Sequence, residues 1–154
     1  DRLGYNYRLD ELSAALGLAQ VARLEELLAK RARVAAWYDQ RLRCCEDIVV
    51  PTVAATTSRM SWFVYVVRLA PSIERRMLMK VLQEGGVPSR PYFSPIHLQP
   101  FYVERFGYQL GDRPVAEELG ACSLALPFSS VMSEEQVDFV CACLRAALAR
   151  CRAV

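Results

Sequence analysis

Asn6 and Arg8 stand on either side of Tyr7, just ahead of a predicted helix with Asp10 near its start. In an extended segment alternate side chains point the same way, so an amide and a guanidinium would share one side beside a helix N-terminus. That pairing suits a phosphate or a carboxylate, because N–H donors and the positive end of the helix dipole converge there. The same residues also fit a plainer use, with Asn6 shaping a turn and Arg8 pairing with a surface carboxylate. A second candidate is His97, the only histidine, held in PIHLQP between Pro95 and Pro100. On so stiff a loop it could touch a substrate or pass a proton near neutral pH, or it could simply hydrogen-bond to backbone. Tyr92, Phe101 and Tyr102 share this stretch and offer either packing or a wall for a planar or sugar ligand.

Other chemistries find little support. Lys30 and Lys80 are the only lysines, and neither has the desolvated, glycine- or serine-flanked setting that lowers an amine pKa. Both read as solvated surface charges. There is no GxSxG, P-loop or HExxH, and the carboxylates are scattered. Cys44, Cys45, Cys122, Cys141, Cys143 and Cys151 make no CxxC or Cys/His zinc spacing, so reduced thiols are expected and no metal. A formal charge of +2, with basic and acidic residues interspersed, argues against nucleic acid. No apolar run reaches membrane-spanning length and the first residues lack signal-peptide regions, so a cytoplasmic protein is expected.

At 154 residues and 53% hydrophobic content the chain is the size of one domain with a real core. From Leu9 to about Arg43 no proline interrupts, and Leu12, Leu16, Ala19, Leu24, Leu28, Ala35, Tyr38 and Leu42 form an apolar stripe, opposite Arg23, Glu26, Lys30, Arg33 and Arg41. The spacing predicts one long amphipathic helix, straight or bent, which in so small a domain leans on more than its own domain. SWFVYVVRLA, 61–70, reads as a strand buried on both faces or nearly so, since strict alternation is absent. Ser72 is the expected cap of a short helix ending at Gly85 and Gly86, and 87–90 a short strand. Three prolines and four aromatics in 90–102 predict a stiff irregular loop. Pro114 to Cys122 reads as a helix, Ser123 to Leu126 as a strand, and Ser133 to Arg150 as a final helix opened by a Ser133/Gln136 capping box. The expected fold is α/β, an α+β-like small domain with a few-stranded, partly antiparallel sheet covered by helices and a long N-terminal helix.

GYNYRLDELSAALGLAQVARLEEL, SWFVYVVRL, GGVPSRPYFSPIHLQPFY followed by FGY, and LALPFSSVMSEEQVDFVCACL occur in that order over nearly the whole chain. Together they resemble the DegT/DnrJ/StrS family of pyridoxal phosphate (PLP)-dependent sugar aminotransferases, with SSVMS a mild departure after LALPF. The resemblance implies that residues 1–154 are the C-terminal small domain of the fold-type-I PLP transferase fold, with 9–43 as an interdomain helix. The N-terminal domain bearing the Schiff-base lysine would be absent, and Asp1 in place of Met fits such a fragment.

The resemblance further implies that Asn6 and Arg8 are cofactor-binding, Asn6 reaching the PLP phosphate of a neighbouring subunit in a homodimer. His97 and Tyr92 would be substrate-binding. The implied reaction moves an amino group, commonly from glutamate, to a keto group of a nucleotide-linked sugar; this chain alone is expected to be inactive. Two alternatives stand beside it: an interaction module pairing with a separate N-terminal partner, and a fragment of a PLP-dependent sugar dehydratase.

Overall fold

The computed structural model describes residues 7–152. Asp10 opens the first helix by accepting the N–H of Ser13 at 2.9 Å. Helix α1 spans Glu11–Ala22 and α2 spans Leu24–Leu42. The single run expected over 9–43 is therefore two helices, broken at Arg23, whose φ of −105° and ψ of 11° lie outside the α-helical region. The N–H of Arg23 bonds to Gln20 O at 3.1 Å, a tighter turn, before Leu27 resumes the ladder on Arg23 O at 3.0 Å. The two segments also differ in burial. α2 buries Val34, Ala35, Tyr38 and Leu42, whereas no residue of α1 is buried.

The sheet is antiparallel throughout, in the order β1-β2-β4-β3, where β1 is Ile48–Val49, β2 Tyr65–Leu69, β3 Arg90–Pro91 and β4 Ser123–Leu126. β2 and β4 form its centre, with Tyr65 opposite Leu126 and Val67 opposite Leu124. β2 is shorter than the expected 61–70 because Trp62 sits at φ 49°, a left-handed conformation that stops an extended run. It also alternates after all: Tyr65, Val67 and Leu69 are buried, and Arg68 is exposed. One face of the strand meets the core, which replaces the expectation of burial on both. β1 went unforeseen in the sequence, being only a pair of residues that completes the edge beside β2.

Helices α3 (Arg75–Glu84) and α6 (Glu134–Arg152) join α2 over the core. Glu74, not Ser72, caps α3, its carboxylate accepting from Arg76 N at 2.9 Å and Met77 N at 2.6 Å. Gly86 at φ 77° then turns the chain out of α3, a conformation that glycine adopts without strain. The strand expected at 87–90 is instead β3, which shares only Arg90 with that range; Val87 lies buried in the core ahead of it. α6 follows its capping box: Gln136 N–H donates to Ser133 Oγ at 3.3 Å and Ser133 N–H to Gln136 Oε1 at 3.0 Å. Its stripe Val137, Val140, Cys141, Leu144 and Leu148 is buried, each large apolar side chain contributing about 1.5–3 kcal/mol.

Polar ties fix the packing. Tyr38 stacks on Tyr65 at 4.7 Å between centroids. Its hydroxyl donates to Pro127 O at 2.6 Å, and that of Tyr65 to Asp39 Oδ1 at 2.5 Å. Burial pushes both phenols up from their ordinary value, so they remain donors. Arg41 of α2 holds the first turns of α6 through Glu134 at 2.7 Å and through Asp138.

Candidate functional site

The stiff segment 90–102 is more regular than expected. Ile96–Leu98 form one 3-10 turn, and α4 spans Pro100–Phe106 with Pro100 at its first position. α4 ends at Gly107, φ 70°. Helix α5, Pro114–Cys122, then returns past the segment. Between them lies an open basin of about 540 Å³ lined by Tyr92, Phe93, His97, Tyr102, Tyr108 and Arg113, with Ser94 and apolar neighbours.

The basin is held in shape by close approach and by one carboxylate. A Cβ on Gly120 of α5 would lie 2.8 Å from Pro95 Cδ and 2.9 Å from Phe93 O, so only glycine lets the loop come so near. Arg75 fastens the end of α5 by donating to Gly120 O at 2.5 Å and Ser123 O at 3.0 Å. Glu117 accepts from Gly111 N at 2.8 Å, from Arg113 N at 3.0 Å and faces His97 Nε2 at 2.9 Å. Burial alone would raise the Glu117 carboxyl, but the N–H groups of Arg113 and Gly111, helped by His97, outweigh it and hold it below the ordinary glutamate value.

His97 is thus buried, and its partner is a side chain, not the backbone. Its ring meets Tyr108 edge-on at 6.0 Å. Tyr92 is half-buried and stacks on exposed Phe93 at 4.4 Å, making an aromatic wall, while the Arg113 guanidinium lies 5.7 Å over the ring of Tyr108. The structure brings His97 and Tyr92 to one basin. Arg8 is exposed in the segment leading into α1, and Asn6 lies outside the described residues.

Glu117, Gly120, Tyr108 and Arg113 were missed in the sequence. Glu117 had a signal: a first-turn glutamate reaching back to the N–H of the residue before Pro114 is half of a capping box, displaced by one position. Gly120 had none, because its role depends on a loop more than twenty residues away.

A second cleft, lined by Arg41, Arg145, Arg152, Cys44, Cys45, Glu46 and Asp47, has its arginines engaged. Arg152 grips Asp47 by two bonds of 2.8 and 2.7 Å, and Arg145 donates to Arg41 O at 3.0 Å. The cysteines are all free thiols, and burial pushes the Cys141 thiol up to about 11, which leaves it unreactive. Among the described residues no group of His, Cys, Asp and Glu is placed to hold a metal, and no helix is long and apolar enough to cross a membrane.

The model of the DegT/DnrJ/EryC1/StrS aminotransferase family matches residues 1–145. GDP-perosamine synthase of Caulobacter vibrioides is 37% identical over 144 residues, which cover 92% of this chain and 38% of that protein. A DegT DnrJ EryC1 StrS aminotransferase from Brucella abortus superposes with a TM-score of 0.80 at 33% identity, over 95% of this chain and 38% of its own. The aminotransferase TlmJ from Streptoalloteichus hindustanus does so with a TM-score of 0.83 at 28% identity, over 96% and 38%. The fold is that of part of an aminotransferase. Within that class, the chain belongs to the DegT/DnrJ/EryC1/StrS aminotransferase family, and it spans well under half the length of the curated relatives it matches.

The family's enzymes use pyridoxal phosphate, and the lysines of this chain do not fit it. Lys30 is ion-paired with Glu26 at 2.5 Å on the side of α2, and Lys80 is exposed on α3. Neither lines the basin.

Proposed function

We propose that this chain is the C-terminal domain of a PLP-dependent aminotransferase that moves an amino group, from glutamate, to a keto group on a nucleotide-linked sugar. The observation that carries the reading is the family match along residues 1–145 in a chain that covers 38% of GDP-perosamine synthase. The ion-paired or exposed state of Lys30 and Lys80 supports placing the Schiff-base lysine in the rest of a longer protein. When bound there, PLP supplies the electron sink that the amino transfer needs.

The chain's own residues bind and position. Asn6 and Arg8 give an amide and a guanidinium to the phosphate in a neighbouring subunit's site, which makes the working unit a homodimer. His97 and Tyr92 line the place of the sugar, the aromatic wall taking its apolar face. The protein works in the cytoplasm. α1, with no buried residue, packs against the missing domain or the partner subunit.

Two experiments test this. The 154-residue chain, incubated with PLP and reduced with borohydride, is expected to yield no pyridoxyl-lysine by peptide mass spectrometry. A pyridoxyl group on Lys30 or Lys80 contradicts the reading. In the complete protein, Asn6→Ala is expected to weaken PLP retention on dialysis, and unchanged retention removes the phosphate role.

The uncovered apolar side of α1 also suits a second reading, a separately encoded module that docks on an N-terminal partner. The coding DNA upstream of Asp1 separates the two: continuous reading frame for the first, a start codon and ribosome-binding site for the second. The dehydratase alternative turns on the residue at the Schiff-base position, which full-length sequence supplies.

A further inference from the structure

We propose that Glu117 is a positioning residue that fixes the tautomer of His97, so that Nε2 carries the proton and Nδ1 is presented to the basin as an acceptor for a sugar hydroxyl. The assignment of the ligand rests on the sugar-binding reading of the basin; the role of Glu117 does not.

The donor count around the carboxylate sets the tautomer. Glu117 Oε1 receives N–H groups from Gly111 and Arg113, each at 3.0 Å, and Oε2 receives Gly111 N–H at 2.8 Å. An oxygen pair so supplied with donors is an ionised acceptor and has no proton to give. His97 Nε2, 2.9 Å from Oε1, must therefore be the donor of that contact. In a neutral imidazole the other nitrogen then carries the lone pair. The clamp also joins three pieces of chain, the 3-10 turn, the 109–113 loop and α5; the loop's N–H groups hold the carboxylate in place, and turning the ring breaks its bond to Glu117.

Nδ1 is left for something else. It has no hydrogen-bond partner among the described residues, and the one buried side-chain oxygen or nitrogen without a partner there is Ser89 Oγ. Nδ1 is thus not sealed off, and His97 is one of the residues that line the basin. A ligand satisfying Nδ1 must bring a donor and present an apolar face to the Tyr92 and Phe93 wall. A hydroxylated sugar ring does both.

His97 is the only histidine, so its imidazole signals can be read without assignment by mutation. In nitrogen–proton correlation spectra of the neutral ring, at roughly pH 8.5, the chain is expected to show the Nε2–H tautomer with a directly observed, exchange-protected Nε2 proton. Glu117→Gln, which keeps an acceptor toward Nε2, should retain that signal. Glu117→Ala should lose it to exchange with water. An Nδ1–H tautomer in the unmodified chain overturns the proposal whatever the variants do, as does an undiminished signal in a folded Glu117→Ala.

The ligand part is tested in the complete protein. Glu117→Ala should raise KM for the nucleotide sugar about tenfold, the scale of one oriented hydrogen bond, with Glu117→Gln restoring most of it. Inhibition by the substrate's nucleoside diphosphate alone should not change. If KM stays put while the protected proton is lost, the sugar assignment falls and the tautomer assignment stands. If inhibition by the nucleoside diphosphate weakens equally, the basin serves the nucleotide and the sugar assignment is wrong.

Discussion

Leu12 and Leu16 of α1 lie on the same predicted apolar stripe as Tyr38 and Leu42 of α2, yet the first pair is 85% and 65% exposed and the second fully buried. The second pair has α6 and the sheet to cover it within this chain. The first has no cover among the described residues. A helix of 12 residues that packs on nothing is marginal in water, so its leucines, with exposed Leu9, Val21 and Leu24 nearby, are a contact surface in search of its other half. One part of the molecule is a closed domain and the other an arm extended from it. The basin belongs to the closed part, braced by Glu117 and Gly120.

The sharpest way to test the closed part is to hollow it. Leu144→Ala, in a fully buried position on α6, should cost about 2–5 kcal/mol in denaturant unfolding. Gly120→Ala pushes a methyl against Pro95 and the Phe93 carbonyl, so about 1–3 kcal/mol is expected, together with a displaced aromatic wall seen as changed Tyr92 and Phe93 NMR shifts. Acid should release the Glu117 clamp. Because Glu117 is held below the ordinary glutamate value, its contribution is complete above the unfolded value of about 4.3 and is lost as pH falls through the lower folded value. The amide shifts of Gly111 and Arg113 should therefore titrate with a midpoint under that value; a midpoint above it contradicts the clamp. Smallest of all, Leu16→Ala should change the stability of the 154-residue chain by less than about 0.5 kcal/mol. A loss near that of Leu144→Ala would mean that α1 is covered after all.

Periodicity reported the closed part well. The α6 stripe and its capping box stood as read, as did α5 and β4, because each depends on local spacing and on burial within the chain. It failed where contacts decide. The break at Arg23 leaves no mark in a proline-free run, and Trp62 shortens β2 through a backbone angle that residue type does not announce. Glu74 took the cap from Ser72 because a longer carboxylate could reach two N–H groups. For the site, GYNYR and PIHLQP drew attention by composition, and His97 and Tyr92 do share a basin. The residues that shape that basin were hidden, since Glu117 and Gly120 matter only once α5 lies against the 90–98 loop.

The contrast between arm and domain can be read in one experiment, amide hydrogen exchange along the 154-residue chain and along the complete protein. In the chain alone, α1 should exchange within seconds while the core amides of α2, β2 and α6 stay protected, and in the complete protein α1 should gain protection comparable to α6. Equal protection of α1 and α6 in the chain alone, or an α1 still unprotected in the complete protein, would contradict the account.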